Sequence, residues 1–295
     1  MTARWTRKRS RGSLALMRLM VWIALRLGRW PARLILHGIT TYFLLFSLEG
    51  RRASRAYLAR VLDRRPGLGD IYRHYFTFAC TLLDRVYLLA GRGDVLSVDF
   101  HGRDLLPRSG CLLIGAHLGS FDVMRVLAEH DPNVDVRVLM HLRPDSKIER
   151  IFDELNPALK EGVIPIGGIA TMLRLKEAVE GGAQVALLAD RFVAEDRSVS
   201  CRFLGETVSL PAGPFHVAAT LGVPMYTCFG LHRGWGRYQV VIEPFAEGID
   251  ADRTNRDEVV AQYAQAFADR LAYWCRQAPY NWFNFYDFWS DAPSK

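Results

Sequence analysis

A helical spacing of apolar residues at about 70–90 gives way to short apolar runs that alternate with amphipathic helical segments. The short runs predict strands at 98–102, 110–116, 134–141, 162–168, 184–190, 223–230 and 237–245. The amphipathic segments predict helices at 121–130, 146–156, 171–182, 214–222 and 256–276. This alternation predicts an α/β fold, with a mostly parallel central sheet flanked by helices.

Positive charge is concentrated at the N-terminus. Residues 1–65 hold 15 of the 38 Lys and Arg residues but only two acidic residues, so the segment carries +13 and the rest of the chain −6. The same segment contains the apolar runs SLALMRLMVWIALRL at 13–27 and LILHGITTYFLLFSL at 34–48. We therefore divide the chain into an N-terminal segment, 1–65, and a main domain, 66–295.

The N-terminal segment is predicted to be a membrane-associated helical segment. Arginines interrupt both apolar runs, so an uninterrupted transmembrane span of about 20 residues is not evident. Apolar residues between arginines, with Trp5, Trp22 and Trp30, are typical of a monotopic or shallowly inserted anchor. Three alternatives remain: a cleaved signal peptide, a nucleic-acid patch, and a helix pair packed on the protein's own core.

Composition excludes two classes of protein. Hydrophobic residues make up 50% of the chain and aromatic residues 12%, which excludes a disordered protein. The five cysteines are scattered and form no C-x-x-C pair, so we expect reduced, buried thiols, without a disulfide framework or a cysteine-rich metal site.

The stretch GAHLGSFD at 115–122 contains the most evident candidate chemistry, His117 and Asp122. The spacing alone has little specificity, since His130 and Asp135 share it. However, His117 follows a predicted buried strand, which would place it at the sheet edge where such folds carry catalytic residues. A neutral imidazole held by a carboxylate can act as a general base. Alternatively, Ser120 or Asp122 caps a helix and His117 is an ordinary turn residue.

The order of motifs resembles a known family. GAHLGSFD is followed by ALLADR at 186–191, FLGETVSLPAGP at 203–214 and GVPMY at 222–226, behind an Arg-rich apolar N-terminus. This arrangement resembles the lysophospholipid acyltransferase superfamily, and within it the lipid A biosynthesis (lauroyl and myristoyl) acyltransferases. The resemblance extends over nearly the whole chain.

The resemblance implies transfer of a fatty acyl group from an acyl carrier protein or coenzyme A thioester to a hydroxyl or amine of a lipid, at the cytoplasmic face of the bacterial inner membrane. It implies no metal, no further cofactor and no nucleic acid partner. His117 would be the base and Asp122 would orient it. Backbone N–H groups of Gly119 and Ser120 are candidate oxyanion donors. The chain has no Gly-x-Ser-x-Gly motif, so the nucleophile would come from the acceptor.

Further positions carry over from the resemblance. Asp190 and Arg191 end a buried strand, and Arg191 would grip a phosphate of the acceptor or of the donor's pantetheine arm, unless the two residues form a structural network. Phe203 and Gly205 would shape a loop over the acyl groove, unless that loop is an ordinary Gly/Pro turn. Where the family commonly has an arginine after its third strand, the sequence is MHLRPD, so His141 or Arg143 would serve.

The C-terminus departs from the lipid A enzymes, which more often end with basic residues. YNWFNFYDFW at 280–289 has seven aromatic residues in ten and is similar to acyltransferases linked to aryl polyene lipids. It would form either a lid on the core or a wall of the acyl channel. A non-catalytic lipid-binding protein on the same fold is the alternative function, and a soluble α/β hydrolase is a third.

Overall fold

The computed structural model describes residues 13–124, 135–140, 147–157, 162–191, 197–252 and 254–289. Its central sheet has seven strands in the order β1-β9-β8-β2-β5-β3-β4. These strands are β1 Ser97–His101, β2 Cys111–Gly115, β3 Val136–Met140, β4 Val163–Pro165, β5 Gln184–Leu188, β8 Met225–Gly234 and β9 Arg237–Ala246. Neighbouring strands are parallel except β8 and β9, which confirms the predicted mostly parallel sheet.

The remaining two labelled strands form a separate hairpin, β6 Ser198–Phe203 and β7 Glu206–Pro211. The prediction of a loop at FLGETVSLPAGP is wrong for residues 206–211, which form β7. The turn at Leu204 and Gly205 takes positive φ angles of 49° and 90°, which lets two short strands pair tightly. Glycine and proline therefore mark the ends of strands here.

Eight α-helices lie in the part of the chain that the structure describes. They are α1 Leu14–Leu27, α2 Arg29–Phe46, α3 Leu48–Val61, α4 Leu68–Leu89, α5 Lys147–Leu155, α6 Gly168–Glu180, α7 Gly213–Leu221 and α8 Arg256–Gln277. The helix predicted at 121–130 begins with a 3-10 turn, Asp122–Met124, and the rest of it lies outside the described residues. The other predicted helices of the main domain agree with α4 to α8 to within a few residues.

Strand β2 lies at the centre of the sheet and is buried at all five positions. Its Leu112 and Ile114 belong to the hydrophobic core on one face of the sheet, and Cys111 and Leu113 to the core on the other. Burying each large apolar side chain of this kind contributes roughly 1.5–3 kcal/mol. The strand is therefore a rigid base for whatever follows Gly115.

Helices α1 and α2 pack against α4 through small residues. Ala24 and Ala32 are fully buried in a cluster with α4, and the Tyr87 hydroxyl donates a hydrogen bond to the Ala24 carbonyl over 2.7 Å. One side of α1 and α2 is therefore packed on the protein's own core, which was the third alternative to a membrane anchor. The boundary at residue 65 stays a prediction.

The other sides of α1 and α2 expose apolar side chains. Nine of these are 49–69% exposed: Leu16, Leu19, Trp22, Leu27, Trp30, Leu34, Tyr42, Leu45 and Phe46. Within the described residues no single helix is long and apolar enough to cross a bilayer, and α2 with α3 meets that requirement only as a pair bent by 94°.

Candidate active site

His117 and Asp190 lie together at the carboxyl edge of the sheet. Strands β2 and β5 are parallel neighbours, with Gly115 opposite Leu188. His117 and Asp190 each come two residues after the end of their strand, so the same register brings them side by side. Loops at this edge are where open α/β sheets bind ligands.

The two side chains are directly hydrogen-bonded. His117 Nδ1 lies 2.8 Å from Asp190 Oδ1, and the His117 backbone N–H donates to Asp190 Oδ2 over 3.1 Å. A carboxylate can only accept, so Nδ1 carries the imidazole proton and Nε2, on the opposite side of the ring, keeps a free lone pair. The imidazole is 36% exposed while Asp190 is fully buried. This is the arrangement of a general base with an orienting carboxylate.

The electrostatics hold the pair as carboxylate and neutral imidazole near pH 7. Burial disfavours the ionised form of Asp190, but the charge and hydrogen bonds of His117 and the charge of Arg191 together lower the pKa of Asp190 to about 2. Burial and the charge of Arg191 lower the pKa of His117 below its ordinary value, and Asp190 only partly opposes them. Nε2 is therefore able to take a proton.

A third residue, Trp282, completes this cluster. Its indole N–H donates to Asp190 Oδ2 over 3.0 Å, and its side chain is fully buried. Trp282 was not among the residues predicted for the site. Its only sequence signal is its place in the aromatic run 280–289.

The C-terminal segment is paired to the loop that carries His117. The Phe283 N–H donates to the His117 carbonyl over 2.9 Å, and the Gly119 N–H donates to the Asn281 carbonyl over 2.8 Å. Leu118 and Trp282 form an antiparallel bridge between these bonds. The segment thus acts as a short strand that fixes the backbone on both sides of Leu118.

The two expected oxyanion donors are both used within the protein. The Gly119 N–H donates to Asn281, and the Ser120 N–H donates to the Gly230 carbonyl over 2.7 Å. An N–H group already bonded to a backbone carbonyl is not free for an incoming oxyanion, so these contacts argue against the expected role. Gly119 has a φ of 74° and Ser120 is buried, which suits a structural turn.

Asp122 has a different partner from the one expected. It opens the 3-10 turn, and its Oδ2 lies 3.0 Å from Nε of Arg85, a residue of α4. The hydrogen bond at His117 Nδ1 comes from Asp190, which is 73 residues away along the chain. A catalytic role for Asp122 stays a prediction.

Arg191 lies at the rim of the cluster. Its Nη2 donates to the Phe283 carbonyl, and its guanidinium is 5.7 Å from the centre of the Tyr286 ring. Its Nε is buried and has no hydrogen-bond partner among the described residues. The alternative of a structural Asp190–Arg191 network predicts direct hydrogen bonds between these two side chains. The observed bonds differ from this. Asp190 bonds to His117 and Trp282, and Arg191 bonds to the Phe283 carbonyl.

Phe203 is buried at the end of β6, and its ring lies 5.1 Å from that of Trp282 in an edge arrangement. It therefore supports the residue that contacts Asp190. Gly205 lies in the turn after it, with a φ of 90°. His141 and Arg143 lie outside the described residues. In the described part of the chain, no group of three or more His, Cys, Asp or Glu residues is placed to hold a metal.

Two of three comparisons with known proteins find a similarity. The sequence profile of the family described as bacterial lipid A biosynthesis acyltransferase matches residues 92–290. A search of curated proteins finds no match. Among solved structures, the chain is similar to the 1-acyl-sn-glycerophosphate (LPA) acyltransferase PlsC from Thermotoga maritima, with 13% identity, a TM-score of 0.38 and coverage of 82% of this chain and 96% of that one.

Proposed function

The chain belongs to the bacterial lipid A biosynthesis acyltransferase family and is an acyltransferase, and we propose that it transfers a fatty acyl group from a thioester donor to a hydroxyl or amine of a membrane lipid. The donor is acyl carrier protein or coenzyme A carrying the chain as a thioester. The acceptor is a lipid A precursor or an aryl-polyene-type lipid. No metal or further cofactor takes part.

His117 is the general base of the proposed reaction. Its Nε2 removes the proton of the acceptor group as the acceptor oxygen or nitrogen attacks the thioester carbonyl carbon. The Asp190 carboxylate holds the ring through Nδ1 and stabilises the imidazolium that forms. The tetrahedral intermediate then collapses, the carbon–sulfur bond breaks, and the proton on Nε2 passes to the leaving thiolate. The new ester or amide and a free thiol are the products.

Arg191 is the proposed site for negative charge on a substrate. A guanidinium matches a phosphate through two parallel N–H bonds, and Arg191 has an unpartnered Nε beside the base. The group it meets is a phosphate of the acceptor or of the donor's phosphopantetheine arm. Arg143, Phe203 and Gly205 remain candidate substrate residues, and Asp122 remains a candidate member of the catalytic site.

The proposed location is the cytoplasmic face of the bacterial inner membrane. The nine exposed apolar side chains of α1 and α2 support this proposal, because groups of large exposed apolar side chains often mark membrane or protein interaction sites. A basic N-terminal segment adds attraction to anionic lipids. The donor arrives from the aqueous side and the acceptor from the lipid side.

The observation that carries the proposal is the His117–Asp190 hydrogen bond at the carboxyl edge of the sheet. We test it with purified protein in detergent, acyl carrier protein and coenzyme A thioesters as alternative donors, and a bacterial lipid extract as acceptor, measuring acylated lipid by mass spectrometry. His117→Gln should lose at least about a hundredfold in rate, in the range of general base catalysis. The chain offers a matched control, because His101 and Asp99 form an exposed pair at 2.8 Å.

His101→Gln should keep wild-type activity. Full activity in folded His117→Gln would disprove the mechanism. The acceptor is identified separately, by comparing the lipids of the parent bacterium with those of a strain lacking this protein. The acceptor is the lipid species that loses one acyl chain in the deletion strain.

A further inference from the structure

A second polar site lies outside the His117–Asp190 cluster, where α2 and α4 meet the turn between β8 and β9. It is a cavity of about 170 Å³ lined by Arg29, Trp30, Arg33, Cys80, Leu83, Asp84 and Trp235. None of these residues takes part in the proposed acyl transfer. Two arginines and two tryptophans thus line one small cavity.

The Arg29 side chain in this cavity is held in place by several contacts. It forms an ion pair with buried Asp84 and donates to the Val95 carbonyl over 2.9 Å. Asp84 also accepts from the Tyr238 hydroxyl over 2.9 Å. A Cβ on Gly236 would lie 2.2 Å from the Arg29 guanidinium, so glycine is needed there for the guanidinium to fit. The charges of Arg29 and Asp84 offset each other.

The positive charge of Arg33, unlike that of Arg29, is not neutralised by an ion pair among the described residues. Its guanidinium lies 4.1 Å from the centre of the Trp235 ring, and none of the described ion pairs includes it. The first turn of α2 contains no acidic residue. Nearby His232 is about nine-tenths buried, and burial with the charges of Arg33 and Arg29 lowers its pKa to about 4. The cavity therefore carries net positive charge.

The two tryptophans at the rim of the cavity are of a residue type that is common at the level of lipid headgroups. Trp30 and Trp235 are 69% and 57% exposed, and their ring centres are 4.9 Å apart. Tryptophans of this kind are enriched at the membrane–water interface. Trp30 is also one of the exposed apolar residues of α1 and α2, so the cavity opens beside the proposed membrane-facing surface.

We propose that Arg33, which lies over the Trp235 ring in the cavity that Arg29 and Trp30 also line, binds the phosphate of an anionic phospholipid headgroup. The guanidinium donates two parallel N–H bonds to phosphate oxygens, a geometry that lysine does not reproduce. The proposal rests on the membrane association proposed above and is independent of the acyl-transfer chemistry. The site anchors the protein and orients it on anionic membranes.

Vesicle flotation of the full chain tests this site. We measure the affinity of the protein for phosphatidylcholine vesicles and for vesicles in which about a fifth of the lipid is phosphatidylglycerol. The ratio of the two affinities is the gain in affinity that the anionic lipid causes. Arg33→Gln and Arg33→Lys should each reduce that gain at least about tenfold, because both lose the paired N–H donors. Arg26→Gln removes one exposed charge from α1 and should reduce it about fivefold at most, the general attraction of one cation.

The proposal would be overturned, in favour of general charge attraction, if Arg33→Gln and Arg26→Gln reduced the gain in affinity equally. It would also be overturned if Arg33→Lys kept the full gain in affinity. Displacement of wild-type protein by millimolar glycerol 3-phosphate would also overturn it, because the site would then bind free phosphate esters. Absence of wild-type binding to any vesicle would refute the membrane association itself. His117→Gln should keep the full gain, so failure of the catalytic proposal is seen separately.

Discussion

The indole N–H of Trp282 donates a hydrogen bond to Oδ2 of Asp190 over 3.0 Å, while Oδ1 of the same carboxylate holds His117. Both Asp190 and Trp282 are fully buried, so the carboxylate that would orient the proposed base is itself held from the C-terminal segment. The aromatic tail is therefore joined to the proposed catalytic pair through the Asp190 carboxylate, in addition to its backbone bonds with the His117 loop.

Trp282→Phe keeps most of the packing but removes that N–H donor. A hydrogen bond to a charged group contributes about 1.5–3 kcal/mol, so we expect kcat to fall at least about tenfold, with the KM for the donor nearly unchanged. Trp274→Phe is the matched control, because the Trp274 indole N–H also donates to a carboxylate, that of Glu243, over 3.0 Å. A comparable loss of kcat in both variants would indicate a general effect on folding rather than positioning of Asp190.

Substitution of Asp190 and Asp122 decides which carboxylate orients His117. Asp190→Asn retains the shape but favours the wrong imidazole tautomer, and we expect kcat to fall about a thousandfold or more. Asp122→Asn removes the ion pair with Arg85 and should cost far less. Steady-state rates of acyl transfer measure both. The reverse order of effects would show that Asp122 orients the base during catalysis.

The fold could be predicted because its strands have an unambiguous pattern. CLLIG and QVALL are continuous apolar runs, as expected for strands covered on both faces, and they form β2 and β5. The same pattern correctly placed His117 and Asp190 at one sheet edge. Sequence spacing could not show that they bond to each other, because that contact depends on the parallel register of β2 and β5.

Local spacing did not reveal the hydrogen-bond partners at two places, for the same reason. His117 and Asp122 are close in sequence, but the hydrogen bond that His117 makes is to a residue 73 positions away. The sequence also could not show the acceptors of the Gly119 and Ser120 N–H groups, because Asn281 and Gly230 lie more than a hundred residues away. Only tertiary pairing shows which polar groups of a loop are already satisfied.

The pH dependence of acyl transfer should report the low pKa of His117. The base acts in its neutral form, so kcat/KM should stay level through pH 7 and fall only below the ordinary histidine pKa of about 6.5. Arg191→Gln removes a positive charge that lowers this pKa, so the acidic limb should move to higher pH. Arg174→Gln, at an exposed position of α6, should leave the profile unchanged. A shift of the Arg191→Gln profile to lower pH would contradict the assignment.

His74 should make the free energy of unfolding depend on pH. Its Nε2 lies 2.8 Å from the Trp282 carbonyl and its Nδ1 2.8 Å from the Ser54 hydroxyl, and burial lowers its pKa to about 4. In the unfolded state His74 binds a proton near pH 6.5, whereas in the folded state it does so only near pH 4. Its contribution to the free energy of unfolding is therefore complete above pH 6.5. As the pH falls toward 4, the free energy of unfolding decreases by up to about 3 kcal/mol.

Denaturant titrations at several pH values check this. His74→Gln should be less stable at pH 7 but should show a shallower decline toward pH 4. His101→Gln, at an exposed histidine, should keep the wild-type slope. An unchanged slope in His74→Gln would assign the acid sensitivity to other groups.

Gly119→Ala tests whether the loop after β2 must approach β8 closely. Gly119 has a φ of 74°, and a Cβ there would lie 2.0 Å from the Gly230 carbonyl oxygen, which is backbone and cannot turn aside. The loop must shift, so we expect kcat to fall at least about tenfold, because small displacements of a catalytic group have large effects. Gly222→Ala is the matched control, since Gly222 has a φ of 64° but no atom within 4 Å of the added Cβ. It should lose about 1 kcal/mol of stability from the left-handed backbone alone and keep its kcat. Equal activity of the two variants would show that His117 does not depend on this close contact.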